Sequence, residues 1–173
     1  MVGESVRWCP QMYELGQQSL DKRNEAPIAL MGRYVRPFDQ KKRLTIPSVW
    51  RDALGPDSVY VLPDPKNRSL QLLPKGMLES RLAELQKQPI SDAKINAMLD
   101  AIGAASELVE FDVQGRIRIK DELLAYAHLD VKGSVEFRGS VRMVTIWPAA
   151  EKSEDDMETR VERMGAAMAV LGL

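Results

Sequence analysis

The sequence predicts a mixed α+β fold, mainly β, in which two pseudo-symmetric halves build one barrel-like core, with linking helices and a C-terminal helix. Three observations predict it. The phrase "RPFDQKKRLTIP" returns later as "VEFDVQGRIRIK", placing Asp39 and Asp112, and likewise Arg43 and Arg116, 73 residues apart. Each copy then continues in the same order, through a short helix and two further strands. Between and after the copies lie segments with helical rather than alternating periodicity. A unit of about 45 residues buries little surface alone, so two copies are needed to complete a core.

The elements follow in order. Residues 1–30 match neither copy and form an N-terminal extension, in which "PQMYELGQQSLDKR" reads as a short helix with Pro10 in its first turn. The first repeat covers 31–74. "RYVRPF" is a strand that Pro37 places at an edge or near its end. "DQKK" is a turn, with Asp39 able to bond its own backbone two residues on. "RLTIP" alternates, so Arg43 and Thr45 share one face and Leu44 and Ile46 the other. Ser48 is the expected N-cap of the helix "VWRDALG", which Gly55 closes. "SVYVLP" and "SLQLLP" are strands joined by the turn-rich "DPKNR".

Residues 75–105 are linking helices. Leu78, Leu82 and Leu85 form one stripe, which Pro89 stops; Ile95, Met98, Leu99 and Ile102 form another, capped by Ser91 and ended by Gly103. The second repeat, 106–150, reads as "LVEF", the turn "DVQG", "RIRI", the helix "DELLAYAHL", then "SVEF" and "MVTIWP". Residues 151–173 form the C-terminal helix, capped by Ser153. Its residues Met157, Val161, Met164, Met168 and Leu171 make a heptad-like seam, suited either to a neighbouring subunit or to the chain's own core.

Composition narrows the function classes. A hydrophobic fraction of 45% with 28% charged residues is that of a globular protein. No run approaches the ~20 apolar residues of a membrane span, and the first residues lack an apolar signal-peptide region, so a cytoplasmic location is expected. Cys9 is the single cysteine and His128 the single histidine. That excludes an internal disulfide and argues against a Cys/His zinc site. Cys9 reads as an ordinary thiol near a terminus, and His128 as a residue packed at a helix end. Neither cofactor nor metal is expected.

The two turns differ in charge. From Arg33 to Arg51 there are six cations (Arg33, Arg36, Lys41, Lys42, Arg43, Arg51) against Asp39, a net +5. From Glu107 to Lys120 three cations (Arg116, Arg118, Lys120) meet three acids (Glu107, Glu110, Asp112) and cancel. A β-hairpin tip bearing three adjacent cations can enter a DNA groove or grip the phosphates flanking it. A charge run in a turn is more often simply solvated. The Asp-x-x-x-Arg frame persists in both copies while the lysines do not. The Asp39, Asp112 and Gly115 positions therefore read as turn architecture, and Lys41 and Lys42 as additions for a partner.

The arrangement resembles the MraZ family, bacterial regulators built from two AbrB-like swapped-hairpin halves. The likeness rests on "MGRYVRPFDQKKRLTIPSVWRDALG", "GAASELVEFDVQGRIRIKDELLAYAHL" and "VTIWP", and covers about residues 31–150. It implies a cytoplasmic, nucleoid-associated transcriptional regulator without enzymatic activity. It also implies a ring homo-oligomer that binds direct repeats in the promoter of the division and cell-wall gene cluster, generally repressing it, with no membrane or small-molecule partner. The DNA-contacting turn maps onto Asp39, Lys41, Lys42 and Arg43, with Arg33, Arg36 and Arg116 expected to assist on the same side. Arg43→Ala is expected to abolish promoter binding and leave the oligomer intact. Where the family usually has Lys-Gly-Arg, this chain has Lys41-Lys42-Arg43, and Lys120 stands where a proline is common. The alternative from another class is an antitoxin-like protein-interaction module whose cations face an acidic partner. An enzyme has little support, because nothing pairs Glu110 or Asp112 with a nucleophile or metal set.

Overall fold

The computed structural model describes residues 30–87, 92–149 and 156–172. Its strands are β1 (Arg33–Pro37), β2 (Leu44–Thr45), β3 (Ser58–Asp64), β4 (Ser69–Pro74), β5 (Glu107–Glu110), β6 (Arg116–Ile117), β7 (Ser134–Gly139) and β8 (Val144–Pro148). Its helices are α1 (Ser48–Leu54), α2 (Lys75–Gln86), α3 (Ala93–Ala105), α4 (Asp121–Tyr126) and α5 (Met157–Leu171). The fold is mixed and mainly sheet.

Six strands form one sheet in the order β1-β7-β8-β4-β3-β5, and β2 pairs with β6 in a separate two-stranded ladder. The repeats interleave. β1 pairs with β7, β2 with β6, β3 with β5 and β4 with β8, every pair antiparallel and every pair joining one repeat to the other. Only β3–β4 and β7–β8 are hairpins within a repeat. Exchanging the repeats and reversing the strand order leaves that order unchanged, so the pseudo-two-fold axis passes between β8 and β4. Two sequence expectations change here. The order is linear, ending at β1 and β5, rather than closed as a barrel. The segment around "DQKK" is a turn but not the tip of a hairpin, because β1 and β2 leave it to pair with different strands of the second repeat.

Alternation along the strands sets the core. Val59, Val61, Leu70, Leu72, Val135, Phe137, Val144 and Ile146 are buried and point to one side of the sheet, where Leu44, Ile46, Ile117 and Ile119 join them. Each such side chain, fully buried, contributes about 1.5–3 kcal/mol. Trp50 of α1 is fully buried, edge-on to Tyr34 at 4.8 Å and to Phe137 at 6.5 Å, and its Nε1 donates to the Met31 carbonyl at 3.0 Å. Leu30 is buried as well and bridges Val141. Pro37 ends β1 at the sheet edge, where its missing N–H breaks no ladder.

Helix boundaries shift from the expected ones. Pro47, not Ser48, precedes α1, with no side-chain cap, and Gly55 closes the helix through its N–H to the Arg51 carbonyl. The Asp92 carboxylate caps α3, and α3 runs past Gly103 to Ala105. Asp156 caps α5. Ser91, Pro89, Ser153, Cys9 and the Pro10 helix lie outside the described residues. Leu78 is buried under α2 while α3 buries none of its side chains. In α5, Met157, Val161, Met164 and Met168 all stay exposed, so these four are not folded back onto the core. His128 sits after α4 as expected, but exposed rather than packed, with a left-handed φ of 54° and its Nε2 3.4 Å from Arg68.

Candidate nucleic-acid interface

Interleaving brings the two Asp-x-x-x-Arg turns side by side. In the first, the Asp39 N–H donates to the Arg43 carbonyl and the Lys42 N–H to the Asp39 carbonyl, both at 2.9 Å. The second repeats this, with Asp112 to Arg116 at 2.9 Å and Gly115 to Asp112 at 2.7 Å. Asp39 Oδ1 accepts the N–H groups of Lys41 and Arg43, each at 2.8 Å, and Asp112 Oδ1 those of Gln114 and Arg116. An aspartate bonding its own backbone two and four residues on is what fixes each turn.

The second carboxylate oxygens join the turns to each other. Asp39 Oδ2 accepts Nε and Nη2 of Arg43 at 2.8 Å, and Arg43 Nη1 reaches Asp112 Oδ2 at 3.1 Å. Arg116 Nε lies 2.7 Å from Asp112 Oδ2, with its Nη1 3.6 Å from Asp39 Oδ2. The result is a ring of two carboxylates and two guanidiniums straddling the pseudo-two-fold axis. Both ends of the Arg43 fork are occupied, so its geometry is that of a clamp. The Asp-x-x-x-Arg frame is architectural in both repeats, and the sequence did not show that the two frames also hold one another.

Desolvation opposes ionisation of Asp39, yet the backbone and side-chain hydrogen bonds from Arg43, the Lys41 N–H and the Arg43 charge together hold its carboxyl at about 2, below the ordinary 3.8. The Asp112 carboxyl is lowered too, desolvation being outweighed by Arg116 and the Gln114 N–H. A depressed carboxyl contributes stability that is present above its unfolded pKa and lost as pH falls through its folded one. Acid unfolding should therefore draw on this ring between about pH 4 and pH 2. Asp39→Asn is expected to lower neutral-pH stability and to flatten the pH dependence in that window, read by circular dichroism along an acid titration.

The cations outside the ring form the accessible patch. Lys41 is exposed, and its ammonium has no partner among the described residues. Lys42 donates from Nζ to both Asp121 oxygens at 3.1 and 3.3 Å. Arg118, from the second repeat, donates from Nη1 to the Lys41 carbonyl at 2.9 Å and is about half exposed. Arg118 was missed as a member of this patch because it lies 77 residues from Lys41. By the 73-residue offset Gln40, Lys41 and Lys42 match Val113, Gln114 and Gly115, with Val113 fully exposed. The first turn tip carries two lysines of its own and the second none, the cation beside the second being Arg51, which is half-buried over Gly115 and bonded to the Ile46 carbonyl.

Other expected residues lie differently. Arg33 is at the far end of β1, 2.8 Å from Glu136, which Arg138 also grips at 2.7 Å. Arg36 lies over the Tyr34 ring at 5.7 Å and donates to the Val35 carbonyl. Strand alternation puts Arg33 and Arg36 on opposite faces, so they do not share a side as expected. Arg51 crosses over Gly115, where any Cβ would overlap its guanidinium, and donates to the Ile46 carbonyl at 3.1 Å.

Gly115 has φ of +71°, and Lys42, its equivalent, keeps the same left-handed turn at +57°. A side chain there costs about 1–2 kcal/mol. Lys42→Gly is expected to stabilise the fold by about 1 kcal/mol in urea unfolding, since the exposed pair it loses contributes about 0–1 kcal/mol. A loss of stability would show that the pair with Asp121 outweighs the backbone strain.

Comparison with known proteins bears on the same geometry. No family model matches the chain. It is, however, 31% identical over 129 residues to the transcriptional regulator MraZ of Leuconostoc mesenteroides, covering 75% of this chain and 87% of that protein. The chain belongs to the MraZ family. MraZ of Thermomicrobium roseum is 34% identical over 117 residues, 68% of this chain and 80% of its own. MraZ of Mycolicibacterium vanbaalenii is 31% identical over 137 residues, 79% and 92% respectively. Among the described residues of this MraZ-family chain, no group of His, Cys, Asp and Glu is placed to hold a metal ion. No described helix is long and apolar enough to cross a membrane.

Proposed function

We propose that the chain is a sequence-specific DNA-binding transcriptional regulator of the AbrB-like swapped-hairpin type. In this reading it represses the division and cell-wall gene cluster, working in the cytoplasm on the nucleoid. Ring homo-oligomers bind direct repeats in the promoter. Each chain presents Lys41, Lys42 and Arg118 to the phosphates. Arg43, Arg116, Asp39 and Asp112 hold the turn at the groove. The observation that carries the reading is the asymmetry between structurally equivalent turns, one with an exposed Lys41, its ammonium without a partner among the described residues, beside Lys42 and Arg118, the other with Gln114 and Gly115 at the matching positions. Membership of a family whose curated relatives are named transcriptional regulators supports it.

Three cations give a modest footprint, and repetition around a ring compensates by raising the effective concentration of each weak contact at repeated sites. The test is binding to the duplex upstream of the chain's own gene against a scrambled duplex of equal length. The expected preference is on the order of a thousandfold or more, with strongly salt-dependent affinity. Equal affinity for the two duplexes would instead favour an acidic protein partner.

A further inference from the structure

On the reading of the cationic turn as a phosphate-binding surface, on which this inference rests, one carboxylate lies where it weakens the surface. Asp121 begins α4 in the second repeat, yet both its oxygens accept from Lys42 Nζ, at 3.1 and 3.3 Å. It also lies 4.0 Å from Arg118 Nη2, while Arg118 Nη1 holds the Lys41 carbonyl. Two of the three patch cations therefore converge on one acid. The position equivalent to Asp121 in the first repeat is Ser48, so the architecture does not require an acid there. Nor does the turn require a lysine at 42, where the equivalent residue is Gly115 and the left-handed backbone favours glycine.

We infer that Asp121 is a built-in competitor for duplex phosphate, holding Lys42 until DNA displaces it and so setting the affinity of the turn. Both members are exposed, with 43% and 62% of their side-chain surfaces accessible, so the pair is weak enough to exchange. A phosphate that takes Lys42 must leave Asp121 in the field of the DNA backbone. That repulsion acts on every duplex alike, lowering promoter and random binding together. It also removes about one cation from the count of neutralised phosphates.

The test is fluorescence anisotropy of the full chain, Asp121→Asn, Lys42→Ala and the double variant across a salt series. The duplexes are the one upstream of the chain's gene and its scrambled counterpart. Asp121→Asn is expected to bind both about threefold to tenfold tighter. Its salt slope should steepen by about 0.9 per bound chain. In the Lys42→Ala background the gain should shrink, and the Tm of Asp121→Asn should stay near that of the unaltered chain. If the unaltered chain binds and Asp121→Asn matches it in affinity and slope, the competitor role is overturned while the DNA-binding reading stands. If the unaltered chain binds neither duplex, that reading falls and Asp121's role with it.

Discussion

Arg43→Ala should lower the Tm by several degrees as well as weaken promoter binding. The guanidinium is the bridge between turns, touching Asp39 at 2.8 Å and Asp112 at 3.1 Å. Its removal leaves those two carboxylates with Arg116 as their remaining side-chain counter-charge in the ring, and like charges so placed repel. Asp39 would keep its backbone bonds, so the turn would loosen rather than unfold. Arg43→Lys should recover little, because an ammonium cannot span two carboxylates as a planar fork does. Circular dichroism melts and binding titrations on both variants check this. A melt unchanged from that of the unaltered chain, with binding abolished, would return Arg43 to the direct role the sequence alone suggested.

The triple change of Lys41, Lys42 and Arg118 to Ala should do the reverse, sparing the melt and removing the grip. These side chains are exposed, and the Lys42–Asp121 and Arg118–Asp121 pairs are surface contacts of about 0–1 kcal/mol. Each phosphate-binding cation removed reduces the slope of log affinity against log salt by about 0.9, and with Asp121 offsetting about one of the three the slope falls by about 1.8 per bound chain. At physiological salt that corresponds to about thirtyfold in affinity. Promoter and scrambled duplex should weaken together, since phosphate contacts carry no sequence information directly. Selective loss on the promoter would mean that one of these residues reads a base edge.

What could be read from the chain depended on whether the signal was local. The 73-residue offset identified equivalent positions, and alternation identified strands and buried faces, as Leu44 and Ile46 illustrate. Neither says which strand lies beside which. "RYVRPF" and "RLTIP" flank a turn as the two arms of a hairpin do, yet each pairs with the opposite repeat. The same exchange carries Arg118 and Asp121 to the first turn, where no charge count along a contiguous window could place them. Caps slipped for a smaller reason. Ser and Asp are nearly equal as N-caps, so Ser91 and Ser153 competed with Asp92 and Asp156 on the same helices, and the aspartates hold the position. The departure from glycine at Lys42 was visible in sequence, but its outcome was not. The turn keeps its left-handed residue and strains the lysine instead of changing shape.

The most direct measurement is lysine acetylation read by mass spectrometry, on the free chain and on the chain bound to the duplex upstream of its gene. Lys41 and Lys42 should lose reactivity on binding, while the exposed Lys94 of α3 and Lys132 beyond α4 keep theirs. Undiminished acetylation of Lys41 in the bound complex would contradict the placement of DNA at the leading turn.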